Sequence, residues 1–462
     1  MRGGRSLLVL LVIALGLGAY IYFVERDRDP AAADAREKAF TVEPADITGL
    51  TVRGASGETT TLRRTGETWT LAAPVEAPAD SAVLESILSS LSTLTIDRVI
   101  DEQPAALDQY GLDTPRMQVD FTTGGGATHH VQLGGTTPTN SGIYARIDDA
   151  TRVVLVPAFV ETTFDKTSFD LRDRRVLDIA RDTVDRLTLT PRSGPAIDMR
   201  RDGVNWRLTA PIDARADFSP ADGLLGRLTT AQMSSIVKEG AEPTAAELRT
   251  WGLDAPQLTA TVGSGSTTAT LAIGAARDDT AVYARDLSRP IVFTVDSSLL
   301  TDLRKDPADL RVKDIFAFNA FSASSLELSR DGTSTTWEKT TPSSGADAAT
   351  QPTWARTKPD AGEVNQTAMT DLLNALSALR ADRFVSQVPS AGETLDVVVR
   401  SGSADAPVEE RATLRRVGDT AYAVRAGEPG GAVIATTDFE AVLTHLTTLT
   451  TPAAPETPPA AP

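Results

Sequence analysis

The chain of 462 residues contains no cysteine. That excludes disulfides, thiol nucleophiles, cysteine-ligated zinc and a lipidated N-terminal cysteine. Histidine is almost as scarce, at three residues. His129 and His130 are adjacent in a strand-like segment and point to opposite faces, so they cannot readily chelate one metal, and His445 stands alone. Basic charge is short too: 45 Lys and Arg against 62 Asp and Glu give a net charge of −17, which disfavours nucleic acid or an anionic lipid surface as partner. No Gly-x-Ser-x-Gly occurs, and the glycine clusters lack the spacing and the lysine of a phosphate loop. Ser235 and Lys238 form a Ser-x-x-Lys without its companion motifs. The acid pairs Asp148/Asp149 and Asp278/Asp279 read as solvated turn residues. The expectation is a protein with no catalytic, cofactor-binding or metal-ligating residues, and no cofactor.

Long apolar runs are rare as well, with one at the N-terminus. Residues 7–24 are uncharged and mostly apolar, end in Tyr20, Tyr22 and Phe23, and follow Arg2 and Arg5. The run is longer than the apolar region of a secretory signal, and no small-x-small site follows it directly, so a retained transmembrane helix is expected in preference to a cleaved signal. The N-terminal arginines place the remaining mass outside the cytoplasm, since long domains translocate largely regardless of charge.

What is present is repetition. Trp-x4-Pro-x5-Asp/Asn occurs as Trp69, Pro74, Asp80, as Trp206, Pro211, Asp217, and as Trp354, Pro359, Asn365. Nineteen and 22 residues after each Trp stand Leu88 and Leu91, Leu225 and Leu228, and Leu373 and Leu376. A period this long denotes repeated domains, and the length agrees with about three. Each unit opens with alternating residues of a half-buried strand, and a second strand leads to the Trp and ends at the Pro, which lacks a ladder donor. Trp69 and Leu71, and Trp206 and Leu208, share a face; the third copy has Arg356 in place of the leucine. Asp80 and Asn365 suit helix N-caps, while Ser219 before Pro220 suits that role in the second copy. Leucines at helical spacing follow, so one face of each helix is expected to cover a sheet.

The phrase Tyr/Trp-Gly-Leu-Asp-x-Pro occurs at Tyr110–Pro115 and Trp251–Pro256. In the second copy Thr244 and Glu247 form a capping box, Gly252 supplies a left-handed helix stop, Leu253 its hydrophobic contact, and Pro256 an extended exit. The phrase is therefore read as a helix stop feeding a strand, and the third unit has lost it. Later in each unit come paired strands carrying Tyr144 and Arg146, Tyr283 and Arg285, and Tyr422 and Arg425. In the first two copies Tyr and Arg are two apart and share a face. Cross-strand packing is their simplest role, and these six residues are also the repeated candidates for partner contact.

A membrane helix followed by repeats of Trp-x-Leu-x2-Pro-x5-Asp, Tyr-Gly-Leu-Asp-x-Pro, Leu133-Gly134 and Ile273-Gly274 strand ends and Tyr-Ala-Arg resembles the domain-of-unknown-function 4340 family. The resemblance implies a bacterial envelope protein, often linked as an auxiliary component with gliding-motility-type ABC transport systems, and carries no catalytic residues. The expected fold class is α+β: an N-terminal transmembrane helix, then three repeated sheet-plus-helix units. The expected domains are a cytoplasmic stub (1–6), the transmembrane helix (7–24), a linker (25–39), units at 40–180, 181–317 and 318–448, the last degenerate, and a disordered Pro/Ala tail (449–462). The expected role is a non-catalytic, membrane-anchored extracytoplasmic accessory or scaffold protein. Its expected partner is a membrane complex, such as an ABC transporter permease or associated envelope proteins, with membrane contact through the N-terminal helix and no nucleic acid. A polysaccharide-binding module is the alternative, which needs exposed Trp69, Trp206 and Trp354, and an envelope hydrolase comes third.

Overall fold

A computed structural model describes residues 36–340, 352–403 and 406–450. Strands make up 45% of it and helices 22%. The expected α+β balance is thereby corrected: the chain is mostly β, with three nine-stranded sheets of identical strand order and antiparallel pairing. The excess of strand comes from hairpins such as Thr59–Thr65 with Thr68–Ala73, whose threonines and arginines carry little apolar alternation, and from two- and three-residue edge strands. The expected membrane helix at residues 7–24 lies outside the described residues, as does nearly all of the expected tail. Among the described residues no helix is long and apolar enough to cross a membrane.

The chain divides into two compact units, one through Arg174 with the first sheet and one from Arg175 with the other two. The second sheet shows the plan. Arg186–Pro191, Ile197–Asp202, Asn205–Ala210 and Ala214–Ala216 step outward to one edge. Helix Phe218–Thr230 leads to Ser235–Glu239 at the opposite edge, and helix Ala245–Thr250 follows. Leu258–Ser264 then pairs with Arg186–Pro191 in the middle, and Thr267–Ala276, Ala281–Asp286 and Ile291–Asp296 step out to meet the edge strand. Two four-stranded meanders are thus joined through their first strands.

The repeated Trp motif has one function in all three copies. Trp206 and Trp354 are buried, and Trp69 packs against its core while partly exposed. The peptide bonds before Pro74, Pro211 and Pro359 are all cis. The third motif position caps the following helix each time: Asp80 accepts from the Ala82 and Val83 amides, Asp217 from Ser219, and Asn365 from Ala368. Ser219 is therefore not the cap of the second helix. Asp217 keeps the register of its counterparts, and the helix starts at Phe218. The leucines 19 and 22 residues after each Trp are all buried. The third unit ends in a longer helix, Thr436–Thr450, which buries Phe439, Val442 and Leu446 and belongs to the same core as helix Gln366–Ser377.

Trp206 fills the second core with its Nε1 buried and unpartnered, and the Arg201 guanidinium lies 5.1 Å from its ring centroid. Trp206→Ala should destabilise the unit from Arg175 by roughly 3 to 5 kcal/mol in urea unfolding. Trp206→Phe removes the orphaned donor and retains a ring, so it should cost markedly less. Equal losses in the two variants would contradict a core role for the ring.

Candidate functional site

Strand alternation separates the candidate pairs from the core. In Gly142–Ile147 the buried side chains are those of Ile143, Ala145 and Ile147, which leaves Tyr144 and Arg146 half-buried on the other face. In Ala281–Asp286, Val282, Ala284 and Asp286 turn inward while Tyr283 and Arg285 turn outward. The Tyr144 ring meets Tyr110 edge-on at 5.2 Å, and Tyr283 meets Trp251 at 6.2 Å. Tyr110 and Trp251 open the Gly-Leu-Asp-x-Pro phrase, so the two repeated motifs are two halves of one contact.

Close backbone approach pins the phrase on the sheet. A Cβ on Gly134 would lie 2.2 Å from the Tyr110 carbonyl oxygen, and one on Gly274 2.2 Å from that of Trp251. Only glycine allows that approach. Gly111 and Gly252 take left-handed φ values of 67° and 65°, and helix Ala245–Thr250 carries the capping box of Thr244 and Glu247. Arg146 donates to the Ala150 carbonyl at 3.3 Å, and Arg285 pairs with Glu242. The third sheet lacks the phrase, and there Tyr422 stands opposite Arg415 and Val433.

Arg425 falls elsewhere. It lies three residues after Tyr422, turns to the core face and is buried. Ladder register shows its counterpart: Ala284 stands opposite Ile273 and Phe293, and Ala423 opposite Leu414 and Ala432. Arg425 therefore occupies the place of Asp286, and Glu428 that of Arg289. The second and third sheets each have an ion pair here, Arg289 to Asp286 at 2.7 Å and Arg425 to Glu428 at 2.9 Å, with the charges exchanged. The first sheet has buried Ile147 at this place.

The pair holds the segment that enters its sheet. Arg289 donates to the carbonyls of Arg175 and Val176 at 3.2 and 2.9 Å. Arg425 donates to that of Val312 at 2.9 Å and to that of Asp314. One guanidinium satisfies the entering carbonyls from either position of the pair.

In the third sheet this clamp becomes a hub. Glu428 Oε1 accepts from Arg425 at 2.9 Å and from Arg215 at 3.0 Å, and Oε2 accepts from Arg311 at 3.1 Å. Arg311 lies 3.7 Å from the Phe384 ring centroid. The side chains of Arg311, Arg425 and Glu428 are all at most 7% exposed. Burial pushes the Glu428 carboxyl up, but Arg425 and Arg215 outweigh it and hold it below its ordinary range. Burial, with Arg215 next, pulls Arg425 below its ordinary range, yet an arginine remains charged. Beside the hub is a cleft of about 420 Å³ lined by Arg207, Arg215, Arg411, Arg425 and three glutamates. Sequence reasoning missed Glu428, Arg215 and Arg311, because exchanged charges at equivalent positions leave no repeated motif.

The residues considered for chemistry have other partners. The Ser235 hydroxyl lies 2.8 Å from that of Thr294 and accepts from Arg277 at 3.0 Å, whereas Lys238 pairs with Glu247 at 2.7 Å. Glu247, hydrogen-bonded by Lys238 and the Thr244 amide and hydroxyl, is lowered to about 2. His129 faces Asp148 at 3.0 Å and His130 faces Asp120 at 2.7 Å. Among the described residues no group of three or more His, Asp or Glu is placed to hold a metal ion.

A family model described as a domain of unknown function (DUF4340) matches residues 69–205 and 206–397. The chain belongs to the DUF4340 family. The boundary between the two matches falls at Trp206, and the second match runs on past Trp354. Among curated proteins and among solved structures nothing matches the chain.

The hub of this DUF4340 protein makes a definite prediction. Glu428→Gln leaves three guanidiniums without their shared counter-charge and should cost about 3 to 5 kcal/mol in urea unfolding at neutral pH. The Glu428 carboxyl is depressed below 4.5 in the folded state, so its contribution is present above that pH and lost as pH falls through the lower folded value. The variant's stability should therefore fall less steeply in acid than the wild type's. A variant as stable as wild type at neutral pH would show that Glu428 does not neutralise the cluster.

Proposed function

We propose that this DUF4340 protein is a non-catalytic accessory or scaffold protein of the bacterial cell envelope that acts by association, outside the cytoplasm, with a membrane complex such as an ABC-type transport or gliding-motility-like system. The observation that carries the reading is the outward Tyr–Arg pair. Tyr144, Arg146 and Tyr283 sit half-buried and Arg285, paired with Glu242, keeps 13% of its side chain exposed, all on the face away from the main core, at the same register of two sheets. Aromatic residues and arginines held on rigid strands are the commonest energetic anchors of protein interfaces. The serine and lysine that could have begun a hydrolytic site are engaged apart from each other, Ser235 with Thr294 and Lys238 with Glu247, which also supports association. The family's link with transport systems, implied by the resemblance, supplies the class of partner. The polysaccharide-binding alternative loses its main support, because Trp206 and Trp354 are buried and cannot offer stacking platforms.

The test is crosslinking in native membranes with the Tyr144→Ala/Arg146→Ala and Tyr283→Ala/Arg285→Ala double variants. Each should fold and lose about 1 to 3 kcal/mol of partner affinity, a roughly 5- to 150-fold drop in recovery of the crosslinked membrane partner. Unchanged recovery with both variants would remove these faces from the interface. Turnover of an envelope polymer that disappears in Ser235→Ala would overturn the non-catalytic reading.

A further inference from the structure

The lining of the cleft beside Glu428 carries more guanidiniums than carboxylates. Arg207 and Arg215 are direct cross-strand partners in the second sheet. Like charges placed opposite each other destabilise a strand pair. The other two sheets avoid the conflict, with Thr70 opposite Pro78 in the first and Ala355 opposite Glu363 in the third. A single ion pair is enough to clamp the entering segment of the second sheet, as Asp286 and Arg289 show. The additional arginines therefore need another explanation.

Counting the charges around the cleft gives its sign. Glu428 is shared by Arg215, Arg311 and Arg425, and Glu409 by Arg400 and Arg411. Asp213 takes Arg207, and Glu410 lies 4.0 Å from Arg215 and accepts from the Ala317 amide at 2.7 Å. The cleft's own lining holds four guanidiniums, Arg207, Arg215, Arg411 and Arg425, against three carboxylates, Glu409, Glu410 and Glu428, an excess of one positive charge in a chain whose net charge is −17. Arg207, Arg215 and Arg411 keep 35%, 33% and 58% of their side chains exposed and line the cavity.

We propose that this cleft binds a phosphoryl dianion, either free or carried by a lipid headgroup, with Arg207, Arg215 and Arg411 as its guanidinium ligands. A phosphoryl group brings the negative charge that this lining lacks. Tetrahedral oxygens also accept from guanidiniums that arrive on different strands, whereas the planar pairing of carboxylates is already met by the cleft's own glutamates. The volume lies in the range of small-ligand sites.

The experiment uses the full-length chain with inorganic phosphate as probe and chloride at matched ionic strength as control. Phosphate should raise the unfolding midpoint of the wild type above the chloride control. Arg207→Thr, which installs the first sheet's residue, should unfold at or above the wild-type midpoint without phosphate, because the like-charge pair is relieved. Its phosphate affinity should fall roughly ten-fold or more, as should that of Arg411→Gln. Vesicles containing phosphatidic acid distinguish the source: binding lost in Arg207→Thr assigns a lipid headgroup, and phosphate stabilisation without such binding assigns a soluble phosphoryl group. A wild type no more stabilised by phosphate than by chloride, or an Arg207→Thr variant that responds as the wild type does, would overturn the proposal.

Discussion

Each of the three sheets depends on one pairing at its middle, between the strand that opens the unit and a strand that arrives some seventy residues later. Ile47–Arg53 pairs with Met117–Thr123, Arg186–Pro191 with Leu258–Ser264, and Ala323–Arg330 with Glu393–Ser403. Between the partners lie a meander, a capped helix and an edge strand, the last of which pairs with a strand that comes later still. Loop closure over such a distance costs entropy before any contact offsets it, so the intervening chain must be delivered in the right direction. The repeated residues perform that delivery. The Pro after the Trp strand turns the chain into the last, edge strand of the first meander, Asp80, Asp217 or Asn365 starts the helix, and in two units the Gly-Leu-Asp-x-Pro phrase stops the chain over the second face and returns it to the centre.

This division of labour explains which parts of the fold were legible in the sequence. The Trp-to-helix register was legible because spacings that recur in three copies carry more weight than any single local preference. The one misreading there, Ser219 as N-cap, came from trusting the local Ser-Pro signal above that register, and the structure caps with Asp217. The strand content was underestimated because edge strands such as Ser235–Glu239 are half-buried along their whole length and show no alternation. The inclusion of Arg425 with Arg146 and Arg285 obscured a difference already visible in its spacing, since three residues after a tyrosine is the opposite face from two.

The charged clamp was not legible, for a physical reason. A buried ion pair can be exchanged end for end if one guanidinium still reaches the carbonyls it satisfies, and Asp286–Arg289 against Arg425–Glu428 is such an exchange. Residue types then differ at both positions while the interaction is retained. The hub around Glu428 is also discontinuous in sequence, drawing on Arg215, Arg311 and Arg425, so no motif could announce it. Association remains the proposed role of the outward faces, while in the second and third sheets these inward charges hold the chain that enters.

The central structural claim is that the middle pairing is the last part of each sheet to open. Native-state hydrogen exchange of the full-length chain tests this most directly. The account predicts that amides of Arg186–Pro191 and Leu258–Ser264 exchange together, slowest of all in the second sheet and only with global unfolding, while those of Ala214–Ala216 and Ser235–Glu239 open earlier. Central amides that exchange as fast as those of the edge strands would contradict it.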